Sequence, residues 1–109
     1  MAAPTPTPTT IRALSVAPLD ITLHTPFGIA GGSADSARNL LITIELADGT
    51  CGYGEAAPFP PFNGETQAMA ASAIDAARTT LEGGDVREWR RIAQAVRAVV
   101  GEVGSAQCA

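Results

Sequence analysis

Not one lysine occurs in the chain, and all seven basic residues are arginines. Without an amine whose pKa burial could lower, the chain acting by itself has no Schiff-base and no lysine general-base chemistry. Histidine is represented once, by His24. A nucleophile relay or a metal site therefore has no second imidazole to draw on, and no catalytic or metal-ligating set is expected. The two cysteines, Cys51 and Cys108, make neither a disulfide framework nor a metal-binding spacing, and reduced, buried thiols are expected. A formal charge of −4 with scattered arginines excludes a basic stripe, so no nucleic-acid partner is expected. The stretch Met1–Thr10, in which proline and threonine alternate from Pro4, has neither a charged n-region nor a long apolar run. It is neither a secretory signal nor a membrane span, so no membrane association is expected and a cytoplasmic location follows by default.

What is present suits one small domain: 109 residues, 46% of them hydrophobic, suffice for a modest core. Residues 1–10 are expected to be a disordered Pro/Thr lead-in, with order beginning near Ile11. From Ile11 to Leu23 apolar residues mostly fall two apart, as in a strand with one buried face. Pro18 donates no ladder hydrogen bond, so this strand is expected at a sheet edge or with a bulge near Ala17-Pro18. Leu40, Ile42, Ile44 and Leu46 alternate through the clearest strand of the sequence. Asp48-Gly49 follows as a tight-turn signal, and Thr50 to Gly54 returns as a short third strand. The stretch Gly52-Tyr53-Gly54-Glu55-Ala56-Ala57-Pro58 has two readings: backbone lying close to a partner or ligand, or a crowded strand end with a bulge.

Between the first two strands, His24 to Ser36 is expected to be a long glycine-containing loop, read as a flap closing on something apolar or as an ordinary mobile loop. Glu65 to Glu82 reads as a helix stopped at Gly83-Gly84, with Met69, Ala73, Ala76, Ala77 and Leu81 on its apolar side. A second helix opens at Asp85, with Glu88 completing a variant capping box. It carries Trp89, Ile92, Ala93, Val96, Val99 and Val100, and ends at Gly101. Ser105 to Ala109 resembles the first turn of another helix. The expected fold is α+β: a three-stranded antiparallel meander followed by a helical hairpin.

These features together resemble the N-terminal capping domain of the enolase superfamily. They are the Pro26-Phe27-Gly28-Ile29-Ala30 loop, Asp48-Gly49, Gly52-Tyr53-Gly54-Glu55-Ala56-Ala57-Pro58, and Gly64-Glu65-Thr66 opening a helix. The resemblance lies within the mandelate racemase/muconate lactonising group and is strongest to dipeptide epimerases of the L-Ala-D/L-Glu type. It divides the chain into the lead-in 1–10, a capping domain 11–103, and 104–109 as the start of a truncated linker helix. In such enzymes a (β/α) barrel, absent from this sequence, supplies the catalytic lysines and the acidic ligands of Mg²⁺, so no cofactor is expected in this chain. The resemblance makes His24–Ser36 and Ala57–Gly64 two loops over the barrel mouth. Phe27, Ile29, Phe59 and Phe62 become apolar walls, and His24 meets a polar end of the substrate.

The functional expectation is a substrate-specificity lid of a dipeptide epimerase or related racemase or cycloisomerase, inactive without its barrel. It would meet a small carboxylate or dipeptide only when the barrel is there. Two alternatives stand beside it: a stand-alone binding module of the same fold, and an unrelated α+β domain with a coincidental glycine-rich strand. An uncovered apolar face is expected to drive homo-oligomer formation through the C-terminal helix or the loop outside the third strand.

Overall fold

The computed structural model describes residues 7–29, 32–60 and 64–109, with the side chains of 23–29 and 32–35 outside the described part. Three strands, β1 (Ile11–Ile29), β2 (Gly32–Leu46) and β3 (Cys51–Ala56), form one sheet in the order β1-β2-β3 with both pairings antiparallel. Helices α1 (Gln67–Ala76), α2 (Arg78–Leu81), α3 (Trp89–Val100) and α4 (Gly104–Cys108) follow, with a 3-10 turn at Val86–Glu88 leading into α3. The expected α+β meander is the observed architecture. No helix among the described residues is long and apolar enough to cross a membrane.

The alternation of β2 decides which face is covered. Leu40 and Ile42 are buried and, with Ile44, lie opposite Pro18, Val16 and Leu14 of β1 and Ala56, Gly54 and Gly52 of β3. The helices pack on this face, where Leu14, Leu40, Ile42, Ala56, Ala70, Ile74, Ala77, Val100 and Ala106 form one cluster. The β2–β3 turn is the expected one: Gly49 adopts φ 92°, and the Asp48 carboxylate accepts the Thr50 N–H at 2.8 Å. Only a residue free of the Cβ clash holds that φ cheaply.

β1 lies at an edge, as Pro18 requires, but the register runs unbroken through Ala17↔Leu41 and Pro18↔Leu40. The irregularities fall instead between Ile11 and Ala13 and between Thr22 and Phe27. The first explains why Ile11 and Leu14, three apart, are both buried. The open edge of β1 is shielded from adding further strands. Ile11 N–H donates to the Gly84 carbonyl at 2.7 Å and Ile11 O accepts from Gly83 at 2.8 Å. Further along, the Leu14 N–H reaches a Glu82 carboxylate oxygen at 3.3 Å, and the Arg78 guanidinium donates to the Leu14 carbonyl.

Several expectations need correction. The described residues of the expected loop His24–Ser36 are strand in their backbone: the β1–β2 ladder resumes with Phe27↔Ala34, Gly28↔Ser33 and Ile29↔Gly32. Backbone hydrogen bonds form a ladder whatever the side chains, so Gly, Ser and Ala conceal a strand from propensity reading. Order begins before Ile11, since Thr10 bridges Asp85 and Thr9 O accepts the Val86 N–H at 3.0 Å. The rest of the lead-in, residues 1–6, lies outside the described residues. The helix read over 65–82 is capped by Thr66, whose hydroxyl accepts from Met69 N–H at 3.1 Å, and is divided at Ala77. Its buried side is Ala70, Ile74 and Ala77, while Met69 is 45% exposed. Both cysteines are free and exposed rather than buried: Cys51 lies on the sheet face that no helix among the described residues covers, and Cys108 in the last turn of α4.

Candidate functional site

Antiparallel pairing decides where the two candidate segments lie. Ala56, the last residue of β3, sits opposite Leu40, and β2 extends eight further residues beyond that point, back to Gly32. The chain leaving β3 at Ala57 therefore heads toward the same end of the sheet as the unaccompanied two-stranded arm of β1 and β2. The molecule's longest extent is 55 Å against 26 and 19 Å for the others, as such a projecting arm produces.

Along the arm, Leu23, His24, Thr25 and Pro26 stand between the pairs Thr22↔Ser36 and Phe27↔Ala34, so four residues of β1 face Asp35 alone. His24 thus sits in a wide bulge, a device that bends a strand and re-aims its far portion. Phe27 and Ile29 occupy ladder positions past the bulge. The side chains of all three lie outside the described residues, as does Phe62. Phe59 is half-buried after a buried Pro58, and the segment closes where Gly64 N–H donates to the Pro60 carbonyl at 2.9 Å. The structure thus brings the two segments to one end of the sheet, and of the five candidate site residues Phe59 alone has described side-chain surroundings.

Three polar residues at the root of the arm escaped the sequence reading. Asn39, 9% exposed, donates through Nδ2 to Glu55 Oε2 at 2.5 Å. Gln67, the first residue of α1, donates through Nε2 to both Asp20 Oδ1 and the Asn39 carbonyl, each at 2.8 Å. One amide thereby ties β1, β2 and α1 together where the third strand ends. Burial is tolerable here because each polar group meets a partner.

The glycine-rich strand and the Gly-Glu-Thr element meet on α4. Gly52, Gly54 and Ala56 occupy the covered face of β3, and a Cβ at Gly54 would overlap the Ala109 carbonyl, 3.1 Å from its carbon and closer to its oxygen. The β2–β3 register runs without a bulge through this stretch, and the close approach at Gly54 is to the end of the chain's own α4. Glu65, 7% exposed, accepts from the Gly104 N–H at 2.6 Å and the Ser105 N–H at 3.2 Å, satisfying amides that the first turn of α4 leaves open. The buried Ser105 Oγ has no well-aligned partner among the described residues. Its nearness is still the largest influence lowering the Glu65 pKa; burial opposes, and the Ser105 and Gly104 amides add to the lowering. An acidic residue directly before the cap Thr66 was the available signal for this role.

An apolar hollow of about 300 Å³ lies between the sheet and α3, lined by Leu14, Ile44, Ile74, Trp89, Val96 and Val100 among others. It adjoins the core, and its lining is apolar except for Arg97 and Gln107. Among the described residues no group of three or more His, Cys, Asp or Glu side chains could hold a metal ion, so no metal chemistry is assigned to them.

No family model matches the chain. It is 45% identical over 101 residues to the aromatic dipeptide epimerase of Herpetosiphon aurantiacus, a match covering 93% of this chain and 28% of that protein. The crystal structure of a mandelate racemase/muconate lactonizing enzyme from Roseiflexus sp. superposes with a TM-score of 0.82 at 63% identity, over 96% of this chain and 27% of that one. A dipeptide epimerase from Enterococcus faecalis, solved with Mg and the dipeptide L-Leu-L-Tyr, gives a TM-score of 0.76 at 28% identity, over 82% of this chain and 25% of that one. The chain spans little more than a quarter of the length of these relatives.

Proposed function

Because the chain belongs to the enolase superfamily, as an N-terminal capping domain of its mandelate racemase/muconate lactonising group most like the dipeptide epimerases, we propose that it is a substrate-specificity lid. The enzyme it serves removes the α-proton beside a carboxylate, in a dipeptide epimerase or a related racemase or cycloisomerase. The single observation that supports this reading is that the chain leaving β3 at Ala57 heads toward the end of the sheet from which the arm of β1 and β2 projects. Two segments displayed at one end can cover a mouth beneath them; segments at opposite ends cannot.

In this reading the lid contributes walls rather than chemistry. Phe27, Ile29, Phe59 and Phe62 exclude water from the reacting carbon, and His24 meets a polar end of the substrate. Proton transfer and Mg²⁺ binding belong to a barrel, where the ion would stabilise charge developing on the carboxylate. In the same reading the protein is cytoplasmic, and this chain by itself is a homo-oligomer.

The test is a chimera in which this chain replaces the matching quarter of the Herpetosiphon aurantiacus enzyme. Epimerisation of dipeptides is expected, followed by α-proton exchange in deuterated buffer, and Phe59→Ala is expected to raise KM by about tenfold, the scale of a lost aromatic wall. The isolated chain is expected to give no exchange, with or without Mg²⁺. A folded, active chimera whose dipeptide preference ignores substitutions at 27 and 59 would remove the lid reading, and exchange by the isolated chain would remove its inactivity.

A further inference from the structure

The 57–64 segment is anchored at both ends to the same short helix. On one side, β3 delivers it from Gly54, whose missing side chain leaves room for Ala109 at the end of α4. On the other side, Glu65 accepts hydrogen bonds from the opening amides of α4, at Gly104 and Ser105. α4 has only five residues, too few to persist as a helix in water without tertiary support. Its seating thus depends on the residues that flank the segment, and the ends of the segment depend on that seating. Ala56, which pairs with Leu40, and Ala106 of α4 belong to the same buried cluster, so the contact is continuous with the core.

We propose that Gly54 and Glu65 are a pair of positioning residues that couple the 57–64 segment to α4, so that the seating of α4 decides where Phe59 is held. Neither touches the reacting atoms. Both act through the segment between them. The functional consequence rests on the lid reading above, whereas the coupling is a property of this chain alone. Whatever shifts α4, including a domain attached beyond it, would shift the apolar wall with it. The two motifs that mark the sequence most strongly are thereby accounted for as the two footings of one device.

The experiment is amide hydrogen exchange by NMR on the whole chain. It compares the parent with Glu65→Ala, Glu65→Gln, Gly54→Ala and Gly52→Ala. The reporters are Gly64, whose N–H is held by Pro60, and Ala106 and Gln107, whose N–H groups are held by Val103. Glu65→Ala and Gly54→Ala are each expected to speed exchange at all three by about tenfold, the effect of losing one hydrogen bond to a charged group or its equivalent. Leu40 and Ile42 amides keep parental rates, and Glu65→Gln, which retains an acceptor, falls between. Gly52→Ala is expected to match the parent, because a Cβ there meets nothing within 4 Å. Should Glu65→Ala fail to fold, Glu65→Gln and Gly54→Ala carry the comparison. Faster exchange in α4 with Gly64 at its parental rate overturns the coupling, as does an equal response to Gly52→Ala and Gly54→Ala. In the chimera, Gly54→Ala is expected to raise KM several-fold with kcat held. Coupling in the isolated chain without that KM effect would support the coupling and count against the lid.

Discussion

Asp85 shows how one side chain can close a chain's beginning onto its middle. Its carboxylate accepts from Arg87 Nη2 at 2.6 Å, from the Arg87 backbone N–H at 3.0 Å and from the Thr9 hydroxyl at 2.9 Å. The Arg87 guanidinium, then its amide, then Thr9 hold the Asp85 pKa well below the usual carboxylate range despite partial burial. A carboxyl depressed in the folded state contributes stability that is fully present above its unfolded pKa, about 3.9, and is lost as pH falls through the folded value. Glu65 and Asp48, also lowered, act in the same direction. The melting temperature of the parent is therefore expected to fall from pH 5 to pH 2, and Asp85→Asn to start lower at pH 5 but fall less steeply. Equal slopes in a calorimetric pH series would contradict this. The sequence announced Asp85 as a cap; it could not announce Thr9, seventy-six positions away, because a tertiary partner leaves no local pattern. Asn39 escaped for the same reason, and the cysteines were misplaced because residue type alone does not say which face of a strand or helix a thiol occupies.

At the level of elements, legibility tracked side-chain contrast. β2 from Leu40 to Leu46 alternates clearly, and its covered face is the predicted one. The described residues of the arm, Phe27 to Ile29 and Gly32 to Ala34, are ladder with little contrast in the sequence around them, so the stretch was read as loop. α3 was legible in extent but less so in burial: Trp89 is 60% and Val99 43% exposed, and only Val100 is fully buried. The helix presents its apolar stripe to the hollow above the sheet rather than to tightly packed side chains, and the Arg90 guanidinium lies 5.0 Å from the Trp89 ring. The firmest joint between elements is at Leu40, 1% exposed, where β2 pairs Pro18 of β1 and Ala56 of β3. Leu40→Ala is expected to cost about 2–5 kcal/mol by leaving a cavity between sheet and helices. That is a large share of the roughly 5–15 kcal/mol that holds a domain together, and urea denaturation measures it. A loss below about 1 kcal/mol, the scale of an ordinary surface change, would place the centre of the core elsewhere.

For the molecule as a whole, the radius of gyration of 15.9 Å exceeds the roughly 13 Å of a compact domain of similar length, and the projecting arm accounts for the excess. One face of the sheet carries no helix among the described residues, and there Tyr53 is 72% and Ile21 45% exposed. With Trp89 and Val99 on α3, these residues leave apolar surface on both sides of the domain. We expect the isolated chain to form a homodimer or higher oligomer that covers part of this surface, with α4 or the segment outside β3 in the contact. Sedimentation showing a monomer throughout the micromolar range would oppose it. The same surfaces explain why function was only partly readable: an apolar surface acquires meaning from what it faces, and residue pattern does not say what that is.

The bulge at Leu23–Pro26 separates two independently registered pieces of one hairpin. Nearer the core, pairing from Ala13 to Thr22 is held by β2, which is itself held by β3. Beyond the bulge the described residues make three pairs, and these answer to nothing but each other. In an uninterrupted ladder a one-residue insertion would turn every later side chain to the opposite face. Here the surplus residues absorb it, so the arm's tip can lengthen by about 3.3 Å per residue, or rotate its display, without disturbing the core. That slack lets a lineage change the length of the arm by small insertions and deletions at one place while the scaffold stays constant.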